Sequence, residues 1–204
     1  MGDSSEEDHL PHFDIFTYGE LDSVSSRAVI AVYFAARHYG DHDISELVPT
    51  DIGPVTTAAA GYWAIARALT RAPAAANIVI YSQIEACVQN LLLCIKTCST
   101  YHDHSQRKLV ERILNNLRAR KKAGGSVKFK FVDTDLTPSH SNTKLARRLA
   151  CLDIARQLAR ITLRDAIEKS DKAQEENASD NQGEEDNEDG AIDLLSCAST
   201  STYT

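Results

Sequence analysis

Two cysteines and a His-Asp-His triplet near the middle of the chain are the residues whose types and spacing most directly suggest metal chemistry. Cys94 and Cys98 are four positions apart and would share one face of a helix. His102, Asp103 and His104 follow closely. These side chains could ligate zinc, but a second ligand pair at the usual spacing is missing. Because small thiols are common in apolar helices such as the segment LLLCIKTC, we expect buried cysteines here instead of a zinc site.

A dense group of cations surrounds the Gly-Gly dipeptide at 124–125, and a second group follows before residue 150. Clustered Lys and Arg attract polyanions and bind phosphates by releasing counterions. Cations at the end of a helix are also favoured by the helix dipole, so the pattern has a structural explanation as well. The predicted nucleic-acid-binding residues are Arg118, Arg120, Lys121, Lys122, Lys128, Lys130, Lys144, Arg147 and Arg148.

The net charge of −7 conceals a basic middle between acidic ends. Residues 13–170 contain 21 Lys and Arg against 15 Asp and Glu, whereas 171–204 contain ten acids and one Lys. Residues 1–12 contain four acids and neither Lys nor Arg. We therefore predict acidic disordered ends over 1–12 and 170–204, and a folded domain over 13–169. The acidic tail, with its AIDLL segment at 191–195, could also dock a protein partner.

Length, hydropathy and cysteine count limit the class of protein. The 204 residues, 43% of them hydrophobic, suit one domain with a core and two tails. No run of 18 apolar residues predicts a membrane span. The acidic segment MGDSSEEDH lacks the apolar stretch of a secretory signal, and five cysteines cannot all pair. We expect an intracellular protein, nuclear or cytoplasmic, with no membrane partner.

Hydrophobic periodicity divides the middle of the chain into strands and helices. Runs that are β-branched, aromatic or alternating predict strands at Phe13–Thr17, Ala28–Phe34, Ile44–Val48, Asn77–Ser82 and Val127–Val132. Apolar residues at helical spacing predict helices at Thr56–Arg71, Gln83–Lys96, Ser105–Lys122 and Asn142–Glu168. The order β-β-β-α-β-α-α-β-α predicts an α/β fold with a mixed five-stranded sheet and flanking helices. Alternation in VKFKFV places Lys128 and Lys130 on one side of the last strand.

This order, together with several local motifs, resembles the type-1 ribonuclease H domains of eukaryotes and fungi. FDIFTYGE at 13–20 is similar to the family's first strand, which ends in Thr-Asp-Gly. AVIAVYF at 28–34 and DISELV at 43–48 are similar to the next two strands. Three further segments resemble the first helix, the turn after the fourth strand and the last helix: TTAAAGYWAIARAL at 56–69, VIYSQIEACV at 79–88 and TKLARRLA at 143–150. The resemblance covers about 13–150 and implies a ribonuclease H-like fold.

The resemblance implies RNA–DNA hybrid ribonuclease chemistry, in which four carboxylates hold two Mg²⁺ ions. Carried over residue by residue, the four positions fall on Tyr18, Gly61, Gln83 and Arg147, and none of these is a carboxylate. Arg147 would place a positive charge where the metal should lie. We therefore expect no catalytic residues, no enzyme activity and no cofactor.

Neighbouring acids leave open a relocated metal site. Glu20 lies two residues beyond Tyr18, on the same side of an extended chain, and Glu85 lies two beyond Gln83. Asp133 and Asp135 lie in the loop before the last helix. Such a site would need a shifted backbone, and two of its four acids would come from a loop instead of a helix or strand. We therefore favour the interpretation that these acids are solvated at the surface. Mg²⁺ enters the prediction only if this site exists.

The basic middle and the replaced acids favour a catalytically inactive ribonuclease H-like protein that binds nucleic acid, either RNA–DNA hybrid or double-stranded RNA. Family members also carry a basic handle in the region of residues 118–130, which implies a grip on the backbone. Two alternatives remain, a protein-interaction scaffold without nucleic-acid binding and a hybrid endoribonuclease with a relocated metal site. Tyr62 and Trp63 could stack on bases, but their place on the first helix favours packing against the sheet.

Overall fold

The computed structural model describes residues 10–36, 40–97, 105–136 and 143–180, with side chains described as far as residue 174. The strands are β1 His12–Asp22, β2 Arg27–Phe34, β3 Ile44–Leu47, β4 Asn77–Ser82 and β5 Ser126–Phe131. The helices are α1 Thr57–Arg71, α2 Glu85–Thr97, α3 Arg107–Lys122 and α4 Thr143–Asp180. Each predicted strand and helix is present, in the predicted order.

The five strands form one mixed sheet in the order β3-β2-β1-β4-β5. β1 pairs antiparallel with β2 from Ile15↔Phe34 to Asp22↔Arg27, and β2 pairs antiparallel with β3. β4 lies parallel to β1, and β5 lies parallel to β4. Parallel neighbouring strands need a connection that returns over the sheet. The segment containing α1 leads back to β4, and the segment containing α2 and α3 connects β4 to β5. The prediction of a ribonuclease H-like α/β fold with a mixed five-stranded sheet is confirmed.

Side chains alternate along β1 between the two faces of the sheet. Phe13 and Ile15 are buried in the main core, together with residues of α1, α2 and α3. Phe16 and Tyr18 are buried on the other face, among side chains of α4. The sheet therefore separates an α1–α3 layer from an α4 layer, and this separation decides which charged side chains can act together.

α1 begins where the sequence predicts it, with Thr56 as the N-cap. The Thr56 hydroxyl accepts a hydrogen bond from the Ala59 backbone N–H at 3.0 Å. Such a cap satisfies one of the backbone donors that the first helical turn leaves without an intrahelical partner. The alanines of α1 let it approach the sheet closely, and Ala60, Ala64 and Ala68 are fully buried.

α4 differs from the prediction at its C-terminal end. It continues to Asp180, whereas the sequence predicts disorder from residue 170. The helix thus extends beyond its predicted end at Glu168, because an acidic segment without β-branched residues or proline can continue a helix that has already formed. Residues 181–204 and 1–9 of the predicted tails lie outside the described residues.

Contacts divide the chain into two units, Met1–Ile167 and Glu168–Thr204, and the first contains the whole sheet. Within the described ranges, no helix is long and apolar enough to cross a membrane.

Candidate metal-site remnant and nucleic-acid interface

Tyr18 occupies the position that the resemblance assigns to the first metal-binding Asp. Its ring is buried on the α4 face of the sheet, with Ala155 and Ala159 in the same cluster. Its hydroxyl donates a hydrogen bond to Glu20 Oε2 at 2.6 Å. Burial raises the pKa of Tyr18, and the hydrogen bond to Glu20 raises it further. The phenol therefore stays neutral at physiological pH and uses Glu20 as its acceptor.

Gly61 lies where α1 crosses β1 at close range. A Cβ on Gly19 of β1 would come within 2.8 Å of the Ala60 carbonyl carbon and 3.0 Å of the Gly61 nitrogen. A Cβ on Gly61 would come within 2.7 Å of Ile84 Cδ1 and 2.9 Å of Cys87 Sγ. The space that a glutamate would need at position 61 is already filled by Ile84 and Cys87.

Gln83 joins this group through an amide contact. Its Nε2 donates to the backbone carbonyl of Gly19 at 3.2 Å. The structure thus places Gly61 and Gln83 against Gly19, the residue that follows Tyr18 in β1, whereas the Tyr18 ring lies on the opposite, α4 face of the sheet. The contacts at Gly19 are a hydrogen bond from the Gln83 side chain to a backbone carbonyl and close packing against α1, and neither offers Mg²⁺ a carboxylate oxygen.

Arg147 does not lie at the same point. The guanidinium of Arg156 lies over Tyr18, with Cζ 5.7 Å from the ring centroid. Arg147 precedes Arg156 by nine positions, about 13 Å along the helix axis. Its charge acts on Tyr33 and Cys151 instead. The residue of α4 that lies over the Tyr18 ring is Arg156, on the same face of the sheet.

The acids considered for a relocated metal site are dispersed. Glu20 accepts the Tyr18 hydroxyl, Glu85 is exposed in the first turn of α2, and the Asp133 carboxylate accepts the Asp135 backbone N–H at 2.9 Å. Among the described residues, no three His, Cys, Asp or Glu side chains are grouped so that they could hold a metal ion. The donor set in this part of the chain does not fit the Mg²⁺ pair of the resembled family.

The zinc alternative rests partly on residues that the structure does not describe. Cys94 is buried in the main core on α2, as expected for a packing cysteine. Cys98 and the triplet 102–104 lie outside the described residues.

Arg120 is a correction to the predicted interface, because its side chain is buried. The residue is 3% exposed. Its Nη2 donates to the carbonyls of Leu69 and Ala72, and its Nη1 donates to the carbonyl of Pro73. Burial lowers its pKa. Arg120 therefore ties α3 to the end of α1, where helix carbonyls lack intrahelical partners, and it is not available to a ligand.

The other predicted cations of β5 and α4 lie on the α4 face of the sheet. Lys130 Nζ lies 5.8 Å and Arg148 Cζ 4.9 Å from the centroid of the Tyr81 ring, and Tyr81 stacks on Phe16 at 4.7 Å. Lys128 is exposed on the same side of β5, and Lys144 lies one turn before Arg148. We call these cations, with the exposed Arg147, the β5–α4 surface: Lys128, Lys130, Lys144, Arg147 and Arg148.

The predicted cations of α3 belong to the opposite layer. Leu109, Val110 and Ile113 bury the inner side of α3 in the α1–α3 core. Arg118, Lys121 and Lys122 are exposed on its outer side, and sequence reasoning missed two more exposed cations, Lys108 and Arg112. Lys108 and Arg112 could have been found from the sequence, because they lie on the same predicted helix as the three other cations. We call the five residues Lys108, Arg112, Arg118, Lys121 and Lys122 the α3 face.

Tyr62 and Trp63 belong to the core, as predicted, and are not stacking platforms. Tyr62 is 1% and Trp63 7% exposed. The Trp63 indole N–H donates to Glu46 Oε1 at 2.8 Å, and Arg112 Cζ covers the ring at 5.0 Å. Arg112 thus extends a salt-bridged group in which Arg67 Nε lies 2.8 Å from Glu46 Oε1.

Several solved structures are similar to this chain in fold. Ribonuclease H1 from the halophilic archaeon Halobacterium salinarum aligns with a TM-score of 0.52 at 15% identity, covering 76% of this chain and 98% of that chain. LC11-RNase H1, isolated from compost by a metagenomic approach, aligns with a TM-score of 0.52 at 17% identity, covering 78% and 99%. The prototype foamy virus protease–reverse transcriptase aligns with a TM-score of 0.50 at 13% identity, covering 72% of this chain and 20% of that chain.

No protein-family model matches the chain, and no curated protein sequence matches it significantly. At the identities found, the structural likeness establishes the fold and leaves the activity to be argued from the site. The sheet order, the two helical layers and the coverage of nearly the whole of two ribonucleases H1 agree: the chain has a ribonuclease H-like fold.

Proposed function

We propose that this protein is a catalytically inactive ribonuclease H-like protein that binds nucleic acid, as RNA–DNA hybrid or double-stranded RNA, through a basic surface. The proposal depends on one observation: the same domain lacks the expected carboxylates and carries a group of exposed cations. The positions that the resemblance assigns to metal-binding carboxylates are occupied by residues such as Tyr18, Gly61 and Gln83, while exposed cations collect on β5 and α4.

Inactivity is supported by the chemistry of the residues around Gly19. Two-metal hydrolysis needs carboxylates that hold both ions beside the scissile phosphate. Here a neutral phenol, a packed glycine and an amide occupy those positions, and the Arg156 guanidinium covers the phenol. A fixed positive charge raises the free energy of a nearby divalent cation.

Binding is supported by the character of the β5–α4 surface. Its five cations project from β5 and α4, and two of them rest on the Tyr81 ring. Resting on an aromatic ring restricts these long side chains, so less rotamer freedom remains to be lost on contact with phosphate. Phosphate contacts of this kind read the backbone and not the base sequence.

The binding proposal is tested by fluorescence anisotropy with labelled hybrid, double-stranded RNA and double-stranded DNA. Wild-type affinity is expected to fall steeply between about 50 and 200 mM salt, since each phosphate contact adds about 0.9 to the slope of log affinity against log salt. The K128Q/K130Q/R147Q variant is expected to lower that slope by roughly 2 to 3. K96Q, which changes an exposed lysine on α2, is the matched single-charge control. Absence of binding at low salt contradicts the proposal.

The inactivity proposal is tested with hybrid labelled in its RNA strand. No release of labelled RNA is expected in Mg²⁺ or Mn²⁺, at protein concentrations that saturate binding. Release that E20Q or E85Q abolishes would instead establish the hybrid endoribonuclease with a relocated metal site. Both carboxylates are partly or fully exposed, so the substitutions leave the core intact.

A protein-interaction scaffold is the second candidate, and exposed side chains of α2 favour it. Leu92, Leu93 and Ile95 are 42%, 58% and 42% exposed. Apolar side chains grouped on one helix are typical of protein contacts. Capture of a partner that survives nuclease treatment and is lost in L93E, but not in K128Q/K130Q/R147Q, would favour the scaffold over nucleic-acid binding.

Localisation in the nucleus or cytoplasm is part of the proposal. Cys87, Cys94 and Cys151 are free thiols, and free thiols of this kind suit a reducing compartment. Imaging of a tagged chain in a secretory compartment would contradict it.

A further inference from the structure

α3 holds a concentration of positive charge that is separate from the β5–α4 surface. The helix contains seven Lys and Arg residues and one acid, Glu111. Arg107 pairs with Glu111 at 2.8 Å, and Arg120 is buried. The remaining five cations form the exposed α3 face, and no other acid of the helix offsets them.

The α3 face has the length of a short stretch of duplex. From Lys108 to Lys122 is fourteen residues, which is about 21 Å along a helix. Duplex nucleic acid carries a phosphate on each strand about every 3.4 Å, so a segment of about six base pairs matches this length. Five cations along such a track are enough for several phosphate contacts.

The two basic surfaces belong to opposite faces of the sheet. The inner side of α3 packs into the core that contains α1 and one face of the sheet. Lys130 and Arg148 rest on Tyr81, which belongs to the cluster on the other face, together with Leu152 of α4. A duplex has a persistence length of about 50 nm, so a single short duplex cannot bend around a domain to touch both surfaces without a large cost.

We propose that one chain binds two nucleic-acid segments at once, one on the α3 face and one on the β5–α4 surface, and so bridges them. The proposal rests on the proposed function and extends it from binding to bridging. The ligand on each side is a phosphate backbone, and no base-specific contact is required of either surface.

Energy transfer between two short hybrids, one with a donor dye and one with an acceptor dye, tests the proposal. Wild-type protein is expected to produce transfer that rises with protein concentration and then falls, since excess protein gives each duplex its own chain. K108Q/R118Q/K121Q/K122Q removes four of the five charges of the α3 face and spares Arg112, which covers Trp63. K128Q/K130Q/K144Q/R147Q removes four of the five charges of the β5–α4 surface and spares Arg148, which covers Tyr81.

Each four-charge variant is expected to bind one duplex by anisotropy, with transfer reduced to background. An equal mixture of the two variants is also expected to give no transfer, because bridging needs both surfaces on one chain. Matching thermal unfolding curves would exclude misfolding as the cause.

Wild-type binding without transfer would overturn the bridging proposal and leave the proposed function standing. Transfer that persists in either variant would overturn it too, since dimers or one surface would then explain the bridging. Absence of wild-type binding would overturn both.

Discussion

Gly61, at a position that the resemblance assigns to a metal-binding glutamate, has no room for a larger side chain. Its added Cβ would lie 2.7 Å from Ile84 Cδ1 and 2.9 Å from Cys87 Sγ, closer than packed atoms tolerate. We expect G61A to lower the free energy of unfolding by about 1 to 3 kcal/mol, because Ile84 and Cys87 must shift to admit it. Urea denaturation measures the difference.

Gly40 provides the matched control for this substitution. A Cβ there would meet nothing within 4 Å. G40A is therefore expected to stay within about 1 kcal/mol of wild type. An equal change in the free energy of unfolding in the two variants would mean that the added Cβ at position 61 has no steric cost of its own, and the packing argument at Gly61 would fail.

Tyr18 contributes stability that depends on pH. Burial and the Glu20 hydrogen bond raise its pKa in the folded protein above the ordinary value of 10.0. The folded state therefore favours the neutral phenol, so this stability is fully present below pH 10 and is lost as pH rises through the folded pKa. We expect stability to fall less steeply above pH 10 in Y18F than in wild type. Urea denaturation at pH 8 and above pH 10 measures both slopes. Parallel declines would contradict the assignment.

At the scale of elements, the Arg120 side chain joins α3 to the turn that leads from α1 into β4. It donates to carbonyls of Leu69, Ala72, Ala74 and Ala76, among others. We expect R120A to lower the free energy of unfolding by about 3 kcal/mol or more, because several buried acceptors would lose their donor. R118A, at an exposed site two residues earlier, is expected to change it by less than about 0.5 kcal/mol.

The two arginines also separate folding from binding. R118A removes a charge of the α3 face and is expected to weaken nucleic-acid binding slightly at unchanged stability. A stable R120A protein with weakened binding would show that the side chain reaches the ligand, contrary to its burial.

Much of the architecture could be predicted from local pattern. β4 begins and ends where NIVIYS indicates, and Lys128 and Lys130 share one side of β5, since alternation has a period of two. Arg120 could have been placed inside, because it continues the stripe of Ile113 and Leu117 by one more turn. Its position within a run of cations concealed that periodicity.

Contacts between distant elements could not be predicted in the same way. The sequence assigns Arg118 and Lys130 to one basic cluster, but α3 and α4 lie on opposite faces of the sheet. The pairing of Arg156 with Tyr18 depends on how α4 crosses the sheet, which motif spacing does not specify. The end of α4 was also missed, because composition alone does not distinguish a helical acidic segment from a disordered one.

For the whole molecule, charge is divided between a basic domain and an acidic C-terminal region. Residues 181–204 contain six of the 29 acids and neither Lys nor Arg, so a chain that ends at Asp180 would have a net charge of −1 instead of −7. Net negative charge repels nucleic acid over distances comparable to the Debye length, which is about 10 Å at 0.1 M salt.

Removal of residues 181–204 is therefore expected to strengthen nucleic-acid binding severalfold at low salt, with the difference disappearing at high salt as screening increases. Anisotropy titrations of both chains across a salt series measure the effect. A full-length chain in which the six acids of 181–204 become amides is the control, because it keeps the length and removes the charge. If only the truncated chain binds more tightly, the tail acts through its volume, and the electrostatic explanation is wrong. If neither chain differs from wild type at low salt, the domain's own cations alone set the affinity.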